Sequence, residues 1–140
     1  MGDKIVAGMY LSGNSCRIVA VGGNKESHEV LDVKTNKISI NKNPSSSDAV
    51  NFANSIQDYC DENGVDKIVY NKRISKGKMA SSEESFIMEG VILASVSVEA
   101  ERVHSKTLKA TQDKFGDLKT EKPSTADLGR AYDFAFEGLD

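Results

Sequence analysis

A chain of 140 residues, 28% of them charged and with a net charge of −3, has the length of one domain and can bury a core without disulfide or metal staples. Its slight acidity excludes a protein that coats nucleic acid through overall charge, although a local basic patch can still steer an anionic partner. No apolar run approaches the ~20 residues of a membrane span, and MGDKIVAGMY lacks the basic flank and apolar stretch of a signal peptide, so a cytoplasmic location and no membrane partner are expected. Gly2 opens like a myristoylation signal, but Val6 stands where that signal needs Ser or Thr.

The first forty residues read as three strands, 4–11, 15–23 and 28–40, broken by SGN and GNKES. Turn-rich breaks between β-branched runs predict an antiparallel meander. In the second strand Ile18, Val19, Ala20 and Val21 follow one another, the pattern of a strand covered on both faces. The period then changes: Ala49, Phe52, Ala53, Ile56, Tyr59 and Cys60 recur at helical spacing, between Asp48 with its serines and the stop signal Asn63-Gly64.

A short strand at 66–70 leads through a basic segment to a second helix, for which Ser81 and Glu84 supply a capping box. Phe86, Ile87, Met88, Val91, Ile92 and Leu93 leave that helix little polar face, which predicts burial. A fifth strand at 96–104 and a third helix follow, the helix capped by Ser105 and carrying Leu108, Ala110, Phe115 and Leu118. After a polar connector at 119–124, Leu128, Ala131, Tyr132, Ala135, Phe136 and Leu139 form the stripe of a last helix behind Ser124 or Thr125. No repeat or linker divides the chain, so residues 1–140 read as a single α/β domain ordered βββαβαβαα.

Cys16 and Cys60 have no CxxC partner and read as buried free thiols. His28 and His104 stand alone, without zinc-ligand spacing. The basic segment is more informative, because Lys72, Arg73, Lys76 and Lys78 surround Gly77 just before the helix that Ser81 opens. Backbone amides and the partial positive charge of a helix start favour anions. There is no G-x-x-x-x-G-K-[ST] pattern, and Glu83 and Glu84 already place negative charge in the first turn, which argues against a nucleotide. A grip on nucleic-acid backbone fits better, since lysine and arginine contacts release counterions without reading sequence. No exposed aromatic pair accompanies the lysines as a stacking platform, and a solvated loop or a protein-docking surface is the alternative.

The element order is that of the ribonuclease-H-like fold, in which a meander joins two further strands in one mixed five-stranded sheet. VAGMYLSGN (6–14), DKIVYNKRISKGKMASSEESFIMEGVIL (66–93) and AYDFAF (131–136) resemble domain-of-unknown-function family 3010, a bacterial family similar to the Holliday-junction resolvases. The resemblance implies phosphodiester cleavage with two divalent ions, Mg²⁺ or Mn²⁺, held by carboxylates on the first strand, at the end of the fourth and on the last helix. In that resemblance Tyr10 takes the first-strand acidic position after Gly8, and Lys72 stands where the family has a glutamate before Arg73. Asp127 matches one resolvase aspartate, Arg130 takes the second acidic position three residues later, and Glu89 matches the glutamate of the family's M-E motif.

The site so implied is degenerate at Tyr10, Lys72 and Arg130, holds no metal, and has Lys72 pairing with Asp127 or Glu89 in the ion's place. The expectation is a domain without catalysis that contacts DNA or RNA backbone through Lys72, Arg73, Lys76 and Lys78. Its rivals are a Mg²⁺- or Mn²⁺-dependent nuclease using Glu89, Asp127 and Asp66 or Glu84, and a protein-interaction module with a protein partner. Because resolvase relatives act as dimers, the resemblance also raises a homodimer.

Overall fold

A computed structural model describes residues 4–71, 83–121 and 123–140. β1 (Ile5–Ser12) and β2 (Ser15–Gly23) form a hairpin whose turn uses Gly13 at φ 61°, and the register sets Tyr10 opposite Arg17. The expected single strand at 28–40 is instead two short ones, β3 (His28–Val30) and β4 (Lys37–Ser39), both antiparallel to β2. Between them Asp32, Lys34, Thr35 and Asn36 are exposed and only Leu31 and Val33 pack inward, too little apolar surface to hold a continuous strand. β5 (Lys67–Asn71) runs parallel to β1 on its other side, and β6 (Glu99–Val103) runs parallel to β5. The sheet order is β3-β2-β1-β5-β6, with β4 also beside β2.

The helices start where side chains satisfy their free amides. α1 (Ser46–Asn63) opens on a reciprocal pair, Asp48 N–H donating to Ser45 Oγ at 3.2 Å and Ser45 N–H to the Asp48 carboxylate at 2.9 Å, and it stops at Gly64 in the left-handed region. α2 (Glu83–Ser95) follows the basic segment, so its expected cap Ser81 lies outside the described residues. α3 (Ser105–Phe115) is capped by His104 rather than Ser105, because the imidazole Nδ1 accepts the Lys106 N–H at 3.1 Å. A 3₁₀ turn at Gly116–Leu118 leads to the connector, and Thr125 caps α4 (Ala126–Glu137) by accepting the Leu128 N–H at 3.1 Å.

Strand alternation sorts the core into two layers. Ala7, Met9, Leu11, Ile18, Ala20, Ile68 and Tyr70 face α1 and α2, whereas Val6, Val19, Val21 and Val69 face α4. Both cysteines are free and buried, and burial pushes the Cys60 thiol up to about 11. The expectation that α2 is buried holds for one face only: Ser85, Met88, Glu89 and Ile92 point inward, while Phe86 and Leu93 remain 40% and 47% exposed, with no layer outside them among the described residues. Among the described residues no helix is long and apolar enough to cross a membrane.

The seat of α4 is set by glycine. A Cβ on Gly8 would collide with the Ala131 carbonyl and the Ala135 amide, so strand backbone lies directly on helix backbone. A Cβ on Gly138 would come within 2.7 Å of Val69 and 2.8 Å of Val6. Lys25 fixes the far end, donating from Nζ to the carbonyls of Glu137, at 3.4 Å, and Leu139. α4 therefore runs antiparallel to β1, with its first turns above Tyr10. Gly8→Ala is expected to cost about 3 kcal/mol or more in urea unfolding, as overpacking against backbone does. Gly129→Ala, where nothing lies within 4 Å, is expected to be neutral or stabilising by up to about 1 kcal/mol. Equal stability of the two variants would remove this account of how α4 is seated.

Candidate functional site

Tyr10 is two residues beyond Gly8 on the same face of β1, and so lies under the first turns of α4. Arg130 meets it there: Nη1 donates to the tyrosine hydroxyl at 2.6 Å, and the guanidinium carbon stands 5.1 Å from the ring centroid. Arg17, opposite Tyr10 across the hairpin, approaches Asp127 one helical turn before Arg130, with Nε 3.9 Å from Oδ2. The corner of β1, β2 and α4 thus holds a phenol, two guanidiniums and one carboxylate.

Asn71 closes the neighbouring strand. Its side-chain amide accepts the Leu11 N–H at 2.8 Å and donates to the Leu11 carbonyl at 3.0 Å, doing for Leu11 what a further strand residue would do. The β1–β5 pairing, whose last register pair is Met9 with Tyr70, is extended in this way to the point where the chain enters the basic segment. Lys72, Arg73, Lys76 and Lys78 lie outside the described residues, as does the expected pairing of Lys72. The described partners of Asp127 and Glu89 are Arg17 and Arg102.

The acids that a nuclease would need are dispersed. Glu89 is 7% exposed and accepts from Arg102 Nη1 at 2.8 Å, beside Tyr70 in the layer of α1 and α2. Asp127 is on α4, so the sheet separates the two. Asp66 accepts the Ile5 N–H at 2.9 Å at the opposite end of β1 from Tyr10, and Glu84 belongs to the first turn of α2. Among the described residues no three His, Cys, Asp or Glu groups converge. Mg²⁺ and Mn²⁺ require several hard oxygen ligands, and the corner offers one carboxylate beside two cations. A two-ion centre does not fit the described residues of this corner.

The contacts that hold the cluster differ in strength. The Arg17–Asp127 pair is long and part-exposed, 31% and 46% for the two side chains, a setting in which an ion pair is worth at most about 1 kcal/mol. A cation over a tyrosine at a surface contributes about 0.5–1 kcal/mol. The hydrogen bond from Arg130 to the Tyr10 hydroxyl is charge-assisted and contributes about 1.5–3 kcal/mol, one bond where a phosphate would accept two in parallel. Sequence reading found Tyr10, Asp127 and Arg130 but missed Arg17 and Asn71. Arg17 was accessible from the tight turn at Gly13-Asn14, which fixes the hairpin register; the backbone clasp of Asn71 leaves no sequence pattern.

The fold is ribonuclease-H-like. Two solved structures match nearly the whole chain at 11% identity: Thermus thermophilus RuvC, with a TM-score of 0.74 over 95% of this chain and 92% of that one, and T. thermophilus RuvC in complex with Holliday junction substrate, with a TM-score of 0.70 over 96% and 91%. The chain belongs to the family described as "Protein of unknown function (DUF3010)", whose model matches residues 4–138. No curated protein matches it.

If side-chain identity alone decides the chemistry of this corner, carboxylates placed there should create a metal site. Tyr10→Asp/Arg130→Asp would gather three acids with Asp127, and is expected to melt lower than wild type in EDTA through like-charge repulsion. It should regain at least about 3 °C with millimolar Mn²⁺, through binding to the folded state alone. Wild type is expected to show no such rise, and a Mn²⁺-dependent rise in wild type would contradict the assignment.

Proposed function

We propose that this protein is a RuvC-like domain that acts by binding rather than by cutting, and that it holds the sugar-phosphate backbone of DNA or RNA. The contact surface runs from the Tyr10–Arg17–Arg130 corner to the basic segment Lys72, Arg73, Lys76 and Lys78, which begins one residue after Asn71. The observation that carries this reading is the Arg130 guanidinium bound to Tyr10, with Arg17 beside it, at the β1–α4 corner where the resemblance calls for carboxylates. Exchanging an acid for an arginine changes the local charge by two units, from a group that attracts Mg²⁺ to one that repels it and attracts phosphate. The net charge of −3 keeps non-specific binding low elsewhere on the surface, so the contact is local.

Binding of labelled single-stranded, duplex and four-way-junction DNA at two salt concentrations, with and without Mn²⁺, tests the proposal. Wild type is expected to bind in a salt-dependent way without cleavage. Arg17→Ala/Arg130→Ala and Lys76→Glu/Lys78→Glu should each weaken duplex binding at least about tenfold, with a log–log salt slope shallower by about 2. Mn²⁺-dependent cleavage that disappears in Asp127→Ala would establish a nuclease instead. Absence of binding to every substrate would leave a protein partner as the surviving reading.

A further inference from the structure

On its outer edge β2 has no strand beside it at Ile18–Ala20, because β4 pairs with Ser15–Arg17 and β3 with Val21–Gly23. Backbone bonds fix both ends of that gap: the Ile18 N–H donates to the Asn36 carbonyl at 2.9 Å, and the Leu31 N–H to the Ala20 carbonyl at 2.8 Å. The chain between Leu31 and Asn36 bows away from the sheet edge, and a cleft of about 280 Å³ lies there. Its apolar walls come from both layers of the core, Ile18, Ala20, Leu31 and Val33 from the side of α1, Val30 and Leu128 from the side of α4.

One buried polar group of the cleft has nothing to bind. Tyr59 of α1 lines it and is only 4% exposed, yet its hydroxyl has no hydrogen-bond partner among the described residues. A buried hydroxyl is ordinarily paired, because leaving it unpaired forfeits the bonds it made to water. Burial also pushes the phenol well above its ordinary value, so it stays protonated and can both donate and accept. Glu121 is the one charged residue in the described lining, which contains no Lys, Arg or His. A carboxylate without a cation disfavours an anionic occupant.

We propose that this cleft binds a small, uncharged, largely apolar molecule that hydrogen-bonds to the Tyr59 hydroxyl. Apolar walls with a few polar groups to fix orientation are the usual make-up of a ligand site, and the volume lies near the lower end of such sites, ~300 Å³. A docking strand is the wrong shape for it, because the free edge at Ile18–Ala20 is shorter than the ~5 residues of an ordinary strand. The site does not rest on the proposed nucleic-acid binding, since Tyr10, Arg17 and Arg130 take no part in its lining.

Titration of the full chain with cinnamyl alcohol and, separately, with cinnamate, followed through backbone amide resonances, is the test. The alcohol at millimolar concentration is expected to shift Ile18, Ala20, Leu31 and Leu128 saturably. Cinnamate, which carries a carboxylate on the same skeleton, should bind at least about tenfold more weakly, because the cleft has no cation to pair with it. Tyr59→Phe keeps the ring and removes only the unpaired hydroxyl, so it should melt no lower than wild type while its affinity for the alcohol falls about threefold or more. No saturable shift at the cleft, equal binding of cinnamate, or a Tyr59→Phe variant that binds the alcohol as wild type does would overturn the proposal.

Discussion

The backbone contact between Gly8 and α4 is the constraint on which the rest of the arrangement depends. Because no side chain separates β1 from the helix at Ala131 and Ala135, the helix is held at a fixed height and register above the strand. Val6 and Val69 close against Gly138 at one end, and at the other the first turns overhang Tyr10. Arg130 precedes Ala131, and Asp127 lies one turn before it; once Gly8 seats the helix, both reach the end of β1. The hairpin then supplies Arg17 opposite Tyr10 with no further specification. Four polar side chains from three elements are assembled by one packing contact and one turn.

What that corner can do follows from charge. The fold brings a strand centre, a strand end and a helix together, a geometry suited to several carboxylates because a divalent ion can neutralise their repulsion. Here two of the converging groups are cations, and they settle on a phenol and a single aspartate through an ion pair and a ring contact of about 1 kcal/mol or less each and one short charge-assisted hydrogen bond. Such a cluster carries no repulsion among carboxylates for an ion to relieve. The buried acid, Glu89, belongs to the other layer, where Arg102 accompanies it beneath the sheet.

Much of this architecture was legible in the sequence, because the strongest signals were local. The meander, the period change at α1, the apolar stripe of α4 and the stop at Gly64 all rest on turn, cap and alternation chemistry within a few residues. Where reading failed, a longer-range effect decided. Residues 28–40 alternate well enough to suggest one strand, but only Leu31 and Val33 find a core to enter, and the middle lifts off β2. Ser105 is a better cap by residue type than His104, yet the imidazole is the group that reaches the Lys106 amide. α2 reads as buried because apolar composition reports what a helix can bury, not whether a neighbour is present on every side. Tyr10, Asp127 and Arg130 could be singled out along β1 and α4, whereas the opposition of Arg17 to Tyr10 required counting the hairpin register.

The central claim, that an arginine–tyrosine cluster has replaced a metal centre, is tested most directly by following backbone amide resonances while the protein is titrated in turn with Mn²⁺ and with a short phosphodiester such as a dinucleotide. The account predicts that the dinucleotide shifts the amides of Tyr10, Leu11, Arg17 and Arg130, and that Mn²⁺ at the same concentration produces no broadening centred there. Selective Mn²⁺ broadening around Tyr10 and Asp127, with the dinucleotide leaving those amides unmoved, would contradict it.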